Sequence, residues 1–207
     1  ADTGATVTLA KGWTYLTPGN ITSVEPDEGQ VGTVVTIEGT TLFAGGSEIV
    51  KVTLGGVAVK AINESQSAEK IIVTAAGSTQ ANGTDIVLTT DIGTTITGEA
   101  KWSYLEEGAI ANIDPDSGRV GTKVVITGER LRGGGDEVTA VTLGGVAVAE
   151  VTFENNTQVE VVAAASDPTT GPVDVVLTAD TGAVVTKSGG WRYTDNKIAE
   201  VSPDKGQ

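Results

Sequence analysis

The side chains that most often carry catalysis are missing from this chain, which has no His and no Cys. That removes the commonest general bases, thiol nucleophiles and transition-metal ligands, so no catalytic residue and no cofactor are expected. Oxygen chemistry remains. Pro26-Asp27-Glu28-Gly29, Pro115-Asp116-Ser117-Gly118 and Pro203-Asp204-Lys205-Gly206 each carry acid in a short turn, with Glu25 or Asp114 beside the first two. A calcium loop needs oxygen ligands at several fixed offsets, and these tetrapeptides lack them. They read as turns instead: Pro presets φ, Asp bonds its own backbone and Gly takes a positive φ. No metal site is expected. Gly45-Gly46 and Gly133-Gly134-Gly135 lack the following Lys-Ser/Thr of a phosphate loop, and acids follow them, so they too read as turns.

Aromatic and amide chemistry remain. Trp13, Trp102 and Trp191 each precede a Tyr by two residues, which places both rings on one face of a strand. Exposed, such a pair stacks on sugar rings, and the three tryptophans are candidate sugar-stacking residues. Buried, it plugs a sandwich core, the reading favoured by a chain with only 4% aromatics. Asn20, Asn63, Asn82 and Asn155 each open an Asn-x-Ser/Thr sequon and are candidate N-glycosylation sites. Asn63, Asn82 and Asn155 fall in expected loops and Asn20 at a junction.

These residues are held by a repeat. Val52-Thr-Leu-Gly-Gly-Val-Ala-Val59 returns letter for letter as 141–148, a shift of 89 that also carries Pro26 to Pro115, Leu42 to Leu131 and Trp102 to Trp191. The second copy aligns almost without gaps and differs only at its exit. A fixed period of domain size means one structural unit copied along the chain. Within the first copy, short runs alternate apolar and polar residues: Ile21–Glu25, Thr33–Glu38, Ile49–Leu54, Val57–Ala61, Lys70–Ala75, Asp85–Thr90 and Thr94–Tyr104. Gly, Pro, Asn and Asp separate them. About seven strands per copy and no helical periodicity predict an all-β fold of tandem immunoglobulin-like sandwiches. The expected layout is the last strand of a preceding repeat over 1–20, full repeats over 21–109 and 110–197, and the first strand of a following repeat over 198–207. The short connection Leu105-Glu-Glu-Gly-Ala109 predicts beads held close on a stiff rod.

The pattern Ile21, Val24, Pro26, Gly29, Gly32-Thr33, Val35, Ile37, Gly39, Leu42, then Val52 to Val57, then Trp102 and Tyr104, resembles an IPT/TIG domain, and so does its second copy from Ile110 to Tyr193. The resemblance implies an early-set immunoglobulin-like sandwich and carries no catalytic residues. It points to extracellular or cell-surface proteins.

The net charge of −14 repels phosphate backbones, so nucleic acid is not an expected partner. No run of 18 apolar residues marks a membrane span. The reading that combines these features is a non-enzymatic structural protein, a stalk or filament component of an extracellular or cell-surface assembly. Its expected partners are further copies of the same repeat, including self-assembly into a filament, and glycans. Two alternatives are an adhesin whose beads bind carbohydrate or protein, and accessory domains of a larger carbohydrate-active enzyme.

Overall fold

A computed structural model describes residues 3–4, 6–12 and 14–195; Trp13 and the strand expected at 198–207 lie outside the described residues. The first repeat contains β1 (Asn20–Glu25), β2 (Glu28–Gly29), β3 (Val34–Thr40), β4 (Ile49–Leu54), β5 (Val57–Ala58), β6 (Ala61–Ile62), β7 (Lys70–Thr74), β8 (Ala81–Thr90) and β9 (Thr95–Tyr104). The second contains β10 (Ala109–Asp114), β11 (Ser117–Gly118), β12 (Lys123–Glu129), β13 (Val138–Leu143), β14 (Val146–Ala147), β15 (Glu150–Glu154), β16 (Gln158–Val162), β17 (Val173–Ala179) and β18 (Val184–Tyr193). Each repeat packs a four-stranded sheet, β1-β3-β7-β6 or β10-β12-β16-β15, on a five-stranded one, β2-β9-β8-β4-β5 or β11-β18-β17-β13-β14. This is the all-β, tandem immunoglobulin-like fold that the alternation predicts.

The period-2 pattern builds the core directly. Along β3, Val35 and Ile37 are fully buried, and Val52 and Leu54 of β4 and Ile86 and Leu88 of β8 face them across the sandwich. Trp102 and Tyr104 close that core with their rings edge to face, centroids 5.5 Å apart. Trp191 and Tyr193 repeat the arrangement at 5.6 Å. Such pairs add a quadrupolar contact to the large apolar area each ring buries.

Four details depart from expectation. First, the run Val57–Ala61 does not stay in one sheet. Val59 N still donates to Val52 O (3.1 Å), but Lys60 N donates to Thr74 O (2.8 Å) in the opposite sheet. The chain therefore crosses the sandwich between β5 and β6, and each repeat has nine strand segments. Second, Glu28 and Gly29 leave the turn and pair in parallel with Ser103 and Tyr104 of β9. Gly29 does not take a positive φ; a Cβ there would lie 2.5 Å from Thr33 Oγ1, so close approach explains it. Third, Ala81 to Thr84 belong to an irregular stretch of β8, with Gly83 at φ +56, and not to a loop.

Fourth, the two copies do not align without gaps. Val35 pairs with Val73 and its counterpart Val124 with Val161, so the shift is 88 at β7 and β16. It returns to 89 where Leu88 matches Leu177. Among the described residues, those before Asn20 lie in no strand, and Val7, Leu9 and Tyr15 are exposed.

Candidate functional site

The residues singled out by sequence are scattered. Trp102 and Trp191 are 1% and 0% exposed, so neither indole presents a face to a sugar. The stacking reading fails for both because each sandwich uses its single tryptophan to fill its own core. Trp13 lies outside the described residues. Asn20 opens β1, and Asn63 stands in the loop before β7; both are exposed. Asn82 is exposed in the irregular start of β8. Asn155 is half-buried, and its Oδ1 accepts from Thr157 N (2.8 Å), Thr157 Oγ1 (3.0 Å) and Gln158 N (2.8 Å).

The carboxylates beside the glycine loops are spent on local backbone. Asp91 accepts from Ser47 Oγ (2.7 Å) and Ser47 N (3.1 Å), bonds that hold its carboxyl below the ordinary range. Asp180 accepts from Asp136 N (3.1 Å) and Thr181 N (3.0 Å). No group of three or more Asp or Glu among the described residues is placed to hold a metal ion.

A second charged site sits in the second repeat alone. Arg132 donates through Nε and Nη2 to the two carboxylate oxygens of Glu154 (2.9 and 2.7 Å), and Glu154 Oε2 also accepts from Val138 N (3.1 Å). The Arg132 bond, more than the Val138 amide, holds the Glu154 carboxyl below its usual range. The first repeat satisfies the matching amide with a neutral side chain, since Ile49 N donates to Gln66 Oε1 (2.6 Å).

The most elaborate polar site lies where the repeats meet, and sequence reasoning missed it. The β2–β3 turn of the first repeat seats against the β17–β18 turn of the second. Val34 N donates to Thr181 O (2.9 Å) and Val184 N to Val31 O (3.0 Å), a backbone pair that crosses the junction. Gln30, only 1% exposed, completes it. Its Nε2 donates to Val184 O (2.9 Å) and its Oε1 accepts from Gly108 N (2.7 Å) in the connecting segment. Arg130 fastens the same segment from the other side, donating to Glu107 O (3.1 Å) and pairing with Glu106 (3.2 Å). The signal in the sequence was a single polar letter inside a repeated turn, with Arg119 at the matching place.

The glycine loops also serve this junction. A Cβ on Gly134 would overlap Leu105 of the connection, and one on Gly45 would overlap Leu16. The leucine before each repeat therefore rests on a glycine of that repeat. At the first repeat the surface around Leu16 is an open apolar cleft lined by Tyr15, Leu16, Pro18, Ala44, Ile92 and Thr94. The matching surface of the second repeat is covered by the first.

The IPT/TIG domain family model matches residues 20–104 and 109–193. No curated protein matches the sequence. Among solved structures, the plexin A4 full extracellular region, domains 1 to 10, shares 21% identity at a TM-score of 0.55, over 90% of this chain and 17% of that one. A second plexin A4 structure, with domains 1 to 8, gives 20% identity and a TM-score of 0.48 over 92% of this chain and 20% of that one. A surface glycan-binding protein from Prevotella bryantii gives 14% identity and 0.35 over 89% and 44%. The chain thus spans about a fifth of the plexin chains it matches, and at these identities the likeness is one of fold.

Proposed function

The chain belongs to the IPT/TIG domain family, and on that premise we propose that it is a non-enzymatic spacer of an extracellular or cell-surface assembly, a stalk or filament component in which repeats seat on one another pole to pole. The observation that carries this reading is the junction. Domains joined by a bare linker move independently by default. Here two backbone hydrogen bonds and both ends of the Gln30 amide tie the turns of one sandwich to the next.

The proposal extends to the ends of the chain. By sequence register we assign residues 1–20 to the last strand of a preceding repeat, although the described residues before Asn20 pair in no strand here, and residues 198–207 to the first strand of a following one. The shift of 89 sets Val7 against Ile96 and Tyr15 against Tyr104, both buried in β9, whereas Val7 and Tyr15 are exposed. Further repeats of the same kind are therefore the partners we assign. Rotary-shadowed electron microscopy of the native protein tests the reading. Stiff rods with about 30–40 Å per bead are expected from strand length, and compact isolated globules would overturn it.

Glycans belong to the same proposal. Asn20, Asn63 and Asn82 are exposed and are the acceptors we favour; Asn155 uses its side-chain oxygen to close a turn. Intact-mass measurement of the native protein before and after deglycosylation decides the matter, since a bare polypeptide mass would end the idea.

A further inference from the structure

The two repeats offer the same surfaces at each pole, yet the side chains at the decisive places differ. Gln30 lies beside a shelf made by Gly133 and Ala183 of the second repeat. A Cβ on Gly133 would sit 2.9 Å from Gln30 Nε2 and 2.9 Å from Ala183 Cβ, so the shelf has room for the amide only because residue 133 is glycine. Ala183 is 1% exposed beneath it. In the first repeat the matching residues are Ala44 and Thr94, both larger. Ala44 carries the methyl that Gly133 lacks, at φ +43 where Gly133 has +56. At the opposite pole, the second repeat carries Arg119 where the first has Gln30. Arginine has no acceptor, so it cannot receive the amide that Gly108 gives to Gln30 Oε1.

We propose that residue 30 and the 133/183 shelf are matched parts that decide which repeat can seat on which. Gln30 requires glycine and alanine on the receiving side. The receiving surface of the first repeat, with Ala44 and Thr94, is closed to a glutamine and takes an IPT/TIG sandwich with a shorter side chain at that place. The two remaining poles of these repeats, with Arg119 on one and Ala44 with Thr94 on the other, are not mates. Order along an array of such repeats is then written in three side chains per junction. The selection at the internal junction holds whether or not the whole protein is a stalk. The spacer reading is judged by the shape of the native protein, and the matching by local exchange rates.

The test gives the second repeat the receiving residues of the first. In the G133A/A183T protein the amides of Val34 and Val184, which hydrogen-bond across the junction, should exchange with deuterium about tenfold faster or more. That is the size expected when a buried hydrogen-bonding group loses its place. Core amides of Leu54 and Leu143 should keep their wild-type rates. Adding Q30A should slow exchange at Val34 and Val184 relative to G133A/A183T without restoring wild-type rates, because it removes the amide crowded by the methyl at 133 together with its bonds to Val184 O and Gly108 N. Unchanged junction rates in G133A/A183T, or fast rates that Q30A does not slow, would overturn the proposal. Should the pair of substitutions unfold the second repeat, A183T alone carries the same expectation at smaller size, with the same rescue.

Discussion

The turn 30–34 and its copy 119–123 share a central Val-Gly-Thr, differ at their first and last residues, and live in different surroundings. In the first, Gln30 and Gly32 are buried and Thr33 is fully enclosed; in the second, Arg119 and Gly121 are exposed and Thr122 is half-buried. The local geometry is shared all the same. Thr33 Oγ1 accepts from Gln30 N at 3.1 Å and Thr122 Oγ1 from Arg119 N at 3.0 Å. The β17–β18 turn shows the same contrast, with Ala183 buried and its counterpart Thr94 exposed. A turn whose bonds are internal can thus become a docking element by changing two side chains, Gln30 for Arg119 and Val34 for Lys123, because the bond that shapes it is the same in both copies.

The strongest test of the likeness between repeats lies in their cores. Trp102→Ala and Trp191→Ala each remove a fully buried ring from the same place in a sandwich, and each should cost about 3–5 kcal/mol. Denaturant unfolding of the two variants should give losses that agree to within about 1 kcal/mol, the spread expected from local collapse of similar cavities. Losses that differ by more than this would break the equivalence of the two cores.

The next comparison is Gln66 against Glu154 with Arg132. Both acceptors stabilise the amide that opens β4 or β13, but only one titrates. In the folded protein the Glu154 carboxyl is held below its ordinary range by Arg132 and the Val138 amide. The unfolded chain binds that proton more readily, so the contribution of the site is complete above the ordinary carboxylate pKa. It is lost as pH falls through the lowered folded value. Asp91, held low by Ser47, acts with the same sign in the first repeat. Glu154→Ala should lower stability by about 1–2 kcal/mol at neutral pH, the cost of orphaning a partly buried donor. Pairing E154Q with R132F, which copies Gln66 and Phe43 of the first repeat, should keep most of that stability and flatten the acid limb. Urea midpoints at pH 7 and pH 3 read both effects. An unchanged pH dependence in the double variant would show that the ion pair contributes nothing to acid sensitivity.

How much of this was legible in sequence follows from which physics was local. Alternation along Val35–Ile37 and Val52–Leu54 marks buried faces, and Gly55-Gly56 marks a hairpin, since both signals lie within a few residues. The crossing between Val59 and Lys60 is invisible in that pattern, because Val57, Val59 and Ala61 alternate as one strand would. Only the partners of their amides separate the two sheets. The match of Gln66 with Glu154 was hidden by the one-residue change of register at β7 and β16. The junction was least legible. Gln30 makes its side-chain bonds to residues 78 and 154 positions away, and nothing in its neighbours announces them. The available hint was a difference between copies, Gln30 against Arg119 and Val34 against Lys123, on either side of a kept Val-Gly-Thr.

The finest distinction concerns two glycines with the same turn role. Gly32 has φ +90 and Gly121 φ +82, so alanine at either place meets the same backbone strain, about 1 kcal/mol. Their surroundings differ. A Cβ on Gly32 would lie 2.8 Å from Gly182 O across the junction, whereas nothing lies within 4 Å of one on Gly121. Both alanine variants should therefore lose a similar, small amount of thermal stability. G32A alone should speed exchange at the Val184 amide and broaden the distance distribution in small-angle scattering, because its methyl wedges the two turns apart. If G121A altered the scattering as much, the strain would be spreading through the sandwich, and contact at Gly32 would not be its source. If G32A left Val184 protected, the junction would have enough slack to absorb a methyl group. The close fit on which selection at position 30 depends would then be in doubt as well.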